Sequence, residues 1–186
     1  MPPGAVIRDT RFILLTEEVP QVYVGLYDSV SEERKMPPIF KKLNLKDQQE
    51  IVVMNAPDSF EPVLAELDRV TVLRQATAVS EITFSLAFVT QQTVLDDTIA
   101  AVVAKAKGDA LIWFAYPKKS SKRYQCEFDR DSGWDALGAA GFEGVRQVAI
   151  DEDWSALRFR RVEYIKSLQR DSKRAISAEG QKRTER

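Results

Sequence analysis

The densest group of chemically useful side chains in this 186-residue sequence is Lys118-Lys119-Ser120-Ser121-Lys122. Ammonium groups interleaved with hydroxyls form a donor set suited to a phosphate or a carboxylate. Asp151-Glu152-Asp153 leads into Trp154, whose indole offers an aromatic wall for a base or an apolar group. Asn55 follows an apolar run and precedes Ala56-Pro57-Asp58. Each group also has a purely structural reading. The lysine loop reads as a solvated turn, and Asp151, Glu152 and Asp153 as its ion-pair partners, each exposed pair contributing about 0–1 kcal/mol. Trp154 reads as a core anchor at a strand start, and Asn55 as a residue that fixes its own turn. Asp151 and Asp153 form only a weak signal for acid–base or metal chemistry, because no third ligand is in view. Cys126 lies between Gln125 and Glu127 with no cation closer than Arg123, so it reads as structural and not as a nucleophile.

Composition removes whole classes of chemistry. The sequence contains no histidine, which excludes Ser-His-Asp and Cys-His catalysis, zinc–histidine sites and a histidine pH switch. Its single cysteine excludes an internal disulfide and suits a reducing cytoplasm. No apolar run approaches the roughly 18 residues of a membrane span, and the first residues lack the pattern of a signal peptide, so a cytoplasmic setting without a membrane partner is expected. The formal charge of −1 gives no whole-molecule attraction to nucleic acid. Charge is nevertheless uneven: residues 158–186 carry ten basic and four acidic side chains. Contacts to nucleic acid through this stretch are an alternative, with a solubilising tail the favoured reading.

The elements that must position these groups follow from apolar patterning. Residues 1–38 form an N-terminal extension, in which Phe12–Leu15 and Val22–Tyr27 look like an edge hairpin. Residues 39–168 form the main domain, and 169–186 a basic tail expected to be mobile or a frayed helix. Pro38 suits the start of a short helix through Leu43. Ile51–Met54 and Ala110–Tyr116 are continuous apolar strands buried on both faces. Val70–Leu73 is a short strand, and in Ile82–Phe88 a bulky face alternates with a small one. Asp58 with Glu61 has capping-box spacing for a helix over Ser59–Leu67. Thr93 with Asp96 has the same spacing for a helix with Leu95, Ile99, Val102, Val103 and Ala106 inward and Gly108 as its stop. Trp134, Leu137 and Ala140 suggest a helix ending at Gly141. Val145–Ile150 and Trp154–Val162 form a closing antiparallel pair. The fold class is therefore α/β: a three-layer, Rossmann-like, mostly parallel sheet with a C-terminal antiparallel pair.

This element order, with the Ala139-Ala140-Gly141-Phe142 join, resembles class I methyltransferases. More closely, residues 39–163 resemble a bacterial family of small methyltransferase-like domains that carries only a domain-of-unknown-function label. The matching residues are Lys42-Leu43, Asn55-Ala56-Pro57, Tyr116–Lys122 and Ile150–Leu157. The resemblance implies a fold and no established activity. An S-adenosylmethionine site of this class uses a glycine-rich turn after the first strand and an acid ending the second. Here the turn is Asn55-Ala56-Pro57-Asp58, the second strand runs into Arg74-Gln75, and about seven residues lead to the next strand, so the sheet is truncated after its second strand. These departures argue against that cofactor.

Ligands of open α/β sheets bind beyond the carboxyl ends of the strands. Asn55, Thr90 with Gln91, the 118–122 loop and the Asp151–Trp154 connection should converge there. The expected function is a non-catalytic binding or regulatory domain with no cofactor. Its small-anion site would be built from Asn55, Lys118, Lys119, Ser120, Ser121, Lys122, Asp151 and Trp154. An active S-adenosylmethionine-dependent methyltransferase is the alternative.

Overall fold

A computed structural model describes residues 35–168 and 174–184; the expected hairpin in the N-terminal extension lies outside these residues. The chain runs α1 (Pro38–Lys42), β1 (Glu50–Met54), α2 (Glu61–Ala65), β2 (Thr71–Leu73), β3 (Ile82–Phe88) and α3 (Gln92–Val103). It continues through β4 (Ala106–Pro117), α4 (Asp135–Ala139), β5 (Phe142–Ala149), β6 (Trp154–Arg161) and α5 (Ala178–Thr184). Six strands form one sheet in the order β2-β1-β3-β4-β6-β5. β2, β1, β3 and β4 are parallel, and β6 pairs antiparallel with both β4 and β5. The order reverses between β1 and β3, which is the switch point of a doubly wound, methyltransferase-like sheet.

Each face of the sheet carries its own apolar layer. On one face Leu95, Ile99 and Val102 of α3 pack with Ile112, Phe114, Trp134, Leu137, Phe142 and Phe159. On the other, Phe40 and Leu43 pack with Phe60, Leu64, Ile51, Val53, Phe84, Leu86 and Trp113. The indole N–H of Trp113 donates to the Leu43 carbonyl at 2.9 Å, tying the end of α1 to the sheet. The continuous apolar runs of β1 and β4 are thus explained by burial on two sides. No helix among the described residues is long and apolar enough to cross a membrane.

The truncation is direct. β2 reaches β3 through residues 74–81, which hold only a single 3₁₀ turn (Ala76–Ala78). A parallel crossover ordinarily takes a dozen residues or more. Three local expectations are corrected. Neither capping box forms: α2 begins at Glu61 after a 3₁₀ turn, and the N-cap residues of α2 and α3 make no side-chain cap bond. Glu61 is drawn instead to Arg74, and the first N–H of α3, on Gln92, donates to the Glu127 carboxylate at 2.7 Å. Distant charged partners outcompete the local ones. Third, α3 ends at Val103, so Ala106 and Gly108 belong to β4. Ile82 pairs with Ala106 and Phe84 with Leu111, so residues between them loop out of the ladder, with Gly108 at φ 55°.

The described part of the C-terminal stretch is seated on the domain. Glu143 is fully buried and accepts from the backbone N–H of Ser177 at 2.7 Å and from its hydroxyl at 2.6 Å. Gly180 lies so close that a Cβ there would collide with the Glu143 carboxylate. The sparse apolar content of this stretch suggests a frayed end, whereas one buried carboxylate supplies the anchor.

Candidate functional site

The loop after β4 and the turn before β6 meet at the carboxyl edge. The Lys118 amide donates to the Asp153 carbonyl at 2.7 Å, and its ammonium to the Asp151 carbonyl at 2.5 Å. The Ser121 hydroxyl donates to Asp153 Oδ1 at 2.8 Å and accepts from the Tyr124 amide at 3.1 Å. Asp151 Oδ1 accepts from the amides of Asp153 and Trp154 at 2.8 and 2.7 Å, closing its own turn. Lys118, Ser121, Asp151 and Trp154 are therefore brought together as one hydrogen-bonded unit.

The organiser of that unit is Asp153, which lies outside the set of site residues drawn from the sequence. It is buried, binds Ser121, and lies 3.8 Å from the Arg123 guanidinium. Its signal is the position of an acid immediately before a bulky strand-opening residue. A carboxylate there can be buried only if a loop across the edge brings it donors.

The other candidates spread out. Ser120 and Lys122 are exposed. Lys119 turns to Asp129, with its Nζ 2.9 Å from Oδ2. The Lys119 hydrogen bond, followed by the Asp131 amide and the Ser132 hydroxyl, holds the Asp129 carboxyl down at about 2, and the same contact raises Lys119. Asn55 is exposed at the end of β1, with φ 54° in the left-handed region that asparagine tolerates better than most residues. β3 lies between β1 and β4, so Asn55 is two strand spacings, roughly 10 Å, from the lysine loop.

Trp154 is 3% exposed. It packs edge-on against Phe88 at 5.1 Å and against Tyr124 at 4.8 Å between ring centroids, which makes it an anchor of this edge. Its indole Nε1 is buried with no hydrogen-bond partner, an uncommon state for a buried donor. Burial pushes Tyr116 up to about 12 and raises the Cys126 thiol, as fits residues held in packing and not poised to react.

Beside the switch point, at β1 and β2, Arg74 Nη1 and Nη2 donate to the two carboxylate oxygens of Glu61 at 2.9 and 2.5 Å. Glu61 opens α2, just after the β1 turn, and Arg74 directly follows β2. The bidentate pair therefore bridges the carboxyl ends of β1 and β2. The position at which class I methyltransferases carry an acid holds a guanidinium with its own carboxylate partner. Cavities among the described residues lie elsewhere. One of about 640 Å³ is lined by Gln49, Glu50, Thr71 and Glu81, and one of about 850 Å³ runs along β5 past Arg146, Gln147 and Lys166.

The sheet order and this edge together define a methyltransferase-like α/β domain with a shortened first half. No family model and no curated protein matches the chain. Among solved structures it is similar to a ribosomal protein L11 methylase from Lactobacillus delbrueckii subsp. bulgaricus, at 11% identity over 65% of this chain and 73% of that one, with a TM-score of 0.40. It is also similar to the N-methyltransferase NodS from Bradyrhizobium japonicum WM9, at 11% identity over 66% of this chain and 92% of that one, with a TM-score of 0.39. The fold assignment rests on the strand order itself.

Proposed function

We propose that this chain is a non-catalytic, methyltransferase-like binding domain that takes a small anion at the carboxyl edge of β4. The observation that carries this reading is the Glu61–Arg74 pair. It occupies the carboxyl ends of β1 and β2, and it puts Arg74, with its carboxylate partner, where an acid after β2 would hold a ribose. Ala56 and Pro57 add to the mismatch: neither is glycine, and Pro57 has no N–H to donate. These residues do not fit S-adenosylmethionine.

The anion site uses the 118–122 loop, which Asp153 fastens through Ser121, and an anion there would draw Lys119 from Asp129. Pyrophosphate is a suitable probe, because its charge matches several ammonium groups. Lys118→Ala with Lys119→Ala should reduce pyrophosphate affinity at least tenfold in a calorimetric titration while leaving the unfolding transition cooperative. Equal affinity in the double variant and the parent would place the site elsewhere.

A second reading, an S-adenosylmethionine-dependent methyltransferase with an atypical cofactor turn, is favoured by one feature. Asn55 at φ 54° supplies the left-handed backbone that a glycine would otherwise give this turn. Methyl transfer needs no histidine or cysteine, since orientation alone can supply much of its acceleration.

A further inference from the structure

Across the β5–β6 pair the sheet sets arginine against arginine. Arg146 and Arg158 are partners in the antiparallel ladder. Residues so placed have Cβ atoms roughly 5 Å apart on one face, and like charges there repel. Arg160, two residues further along β6, adds a third guanidinium to the same face.

The carboxylates nearby are already committed. Asp109, on the looped-out part of β4, accepts from Arg160 Nε and Nη2, each at 2.5 Å. Glu143, the ladder partner of Arg160, is turned onto Ser177. Arg146 reaches only the neutral side-chain oxygen of Asn44, at 3.4 Å. Arg158 is half-buried beside Trp113, its ladder partner on β4, and its Nε is buried without a hydrogen-bond partner. Burial, the largest influence, lowers the Arg158 pKa; Asp109 raises it, and Arg160 and Arg146 lower it again. A buried charged donor without an acceptor is costly. Here it stands against a second cation that no described carboxylate neutralises.

We infer that Arg146 and Arg158 form a binding site for a phosphate-class oxyanion, beside Asn44 on the α1 face of the sheet. Two guanidinium groups left over from internal pairing match a doubly charged group, and their forked donors suit tetrahedral oxygens. The site goes beyond the proposed edge function. It lies four residues along β6 from Trp154 and uses none of the lysines.

The test is thermal unfolding of the full chain in inorganic phosphate, against sodium chloride at equal ionic strength. Near-saturating phosphate should raise the wild-type midpoint by roughly 5 °C or more. Arg158→Met should lose that rise and, in chloride, melt no lower than wild type, because the stem is kept and an unpaired charge removed. Arg146→Gln, at an exposed position, should weaken phosphate at least tenfold and serves should Arg158→Met not fold. In the Lys118→Ala, Lys119→Ala background, which removes the proposed edge site, a phosphate-specific rise should remain, and adding Arg158→Met should abolish it. No phosphate-specific rise in wild type, or an undiminished rise in the arginine variants, would overturn the inference. Loss of the rise in the lysine variant alone would overturn it too, assigning phosphate to the β4 edge.

Discussion

Around β4 and β6, the carboxyl edge is knitted by a buried carboxylate, two amides on Asp151 and the 2.7 Å bond from the Lys118 amide to Asp153. Around β1 and β2, the same edge of the same sheet is held by a single ion pair between side chains about half exposed. The difference follows from chain length. The β4–β6 side has a loop long enough to fold back over the turn, while the β2–β3 crossover has only residues 74–81 and no helix to lay across the strands. On the first side charge is structural. On the second it joins two strand ends at small cost and small gain, since exposed pairs contribute about 0–1 kcal/mol.

The β4–β6 edge depends most on Asp153. Asp153→Ala should destabilise the domain by about 2–3 kcal/mol, because a buried charged acceptor is removed and the Ser121 hydroxyl loses its partner. Urea denaturation measures this, and a change below about 0.5 kcal/mol would show that the two loops are not coupled through the carboxylate.

A smaller effect concerns Asp129, on the rim of the same region. Its carboxyl is held down at about 2, below the usual aspartate value of 3.8. The stability linked to it should therefore be fully present above pH about 4 and lost as pH falls toward about 2. Lys119→Ala should bring the Asp129 pKa back up, as read by NMR titration of its carboxyl carbon; an unchanged value would mean that the Lys119 contact is not formed in solution. Smallest is Glu61→Ala, which should change unfolding stability by less than about 1 kcal/mol. A loss of several kcal/mol would make the pair a structural bond like Asp153 and erase the contrast.

What the sequence made legible was the sheet. The runs Ile51–Met54 and Ala110–Tyr116 are apolar because helices cover both faces, and the short acidic link Asp151–Asp153 leaves room only for an antiparallel return. The truncation after β2 was also visible, as a count of residues too few for a crossover. What stayed hidden were the destinations of carboxylates. Glu61 has the spacing of a local cap yet pairs with Arg74, Glu127 caps a helix that begins 35 residues earlier in the chain, and Glu143 anchors Ser177 from 34 residues away. Local pattern gives a side chain its near options, and only the folded sheet brings the stronger distant partner within reach. The arginine ladder was hidden for a related reason, since Arg146 and Arg158 become neighbours only through the register of β5 on β6.

On the proposed reading, the Glu61–Arg74 pair closes the carboxyl ends of β1 and β2 to a nucleotide-like cofactor. The most direct measurement is calorimetric titration of the full chain with S-adenosylmethionine and its demethylated product, with Glu61→Ala, Arg74→Ala alongside. The parent should give no saturable heat with either compound up to about millimolar ligand, an affinity limit near −4 kcal/mol. Saturable binding of either compound to the parent would contradict the proposed reading and favour the one with an atypical cofactor turn.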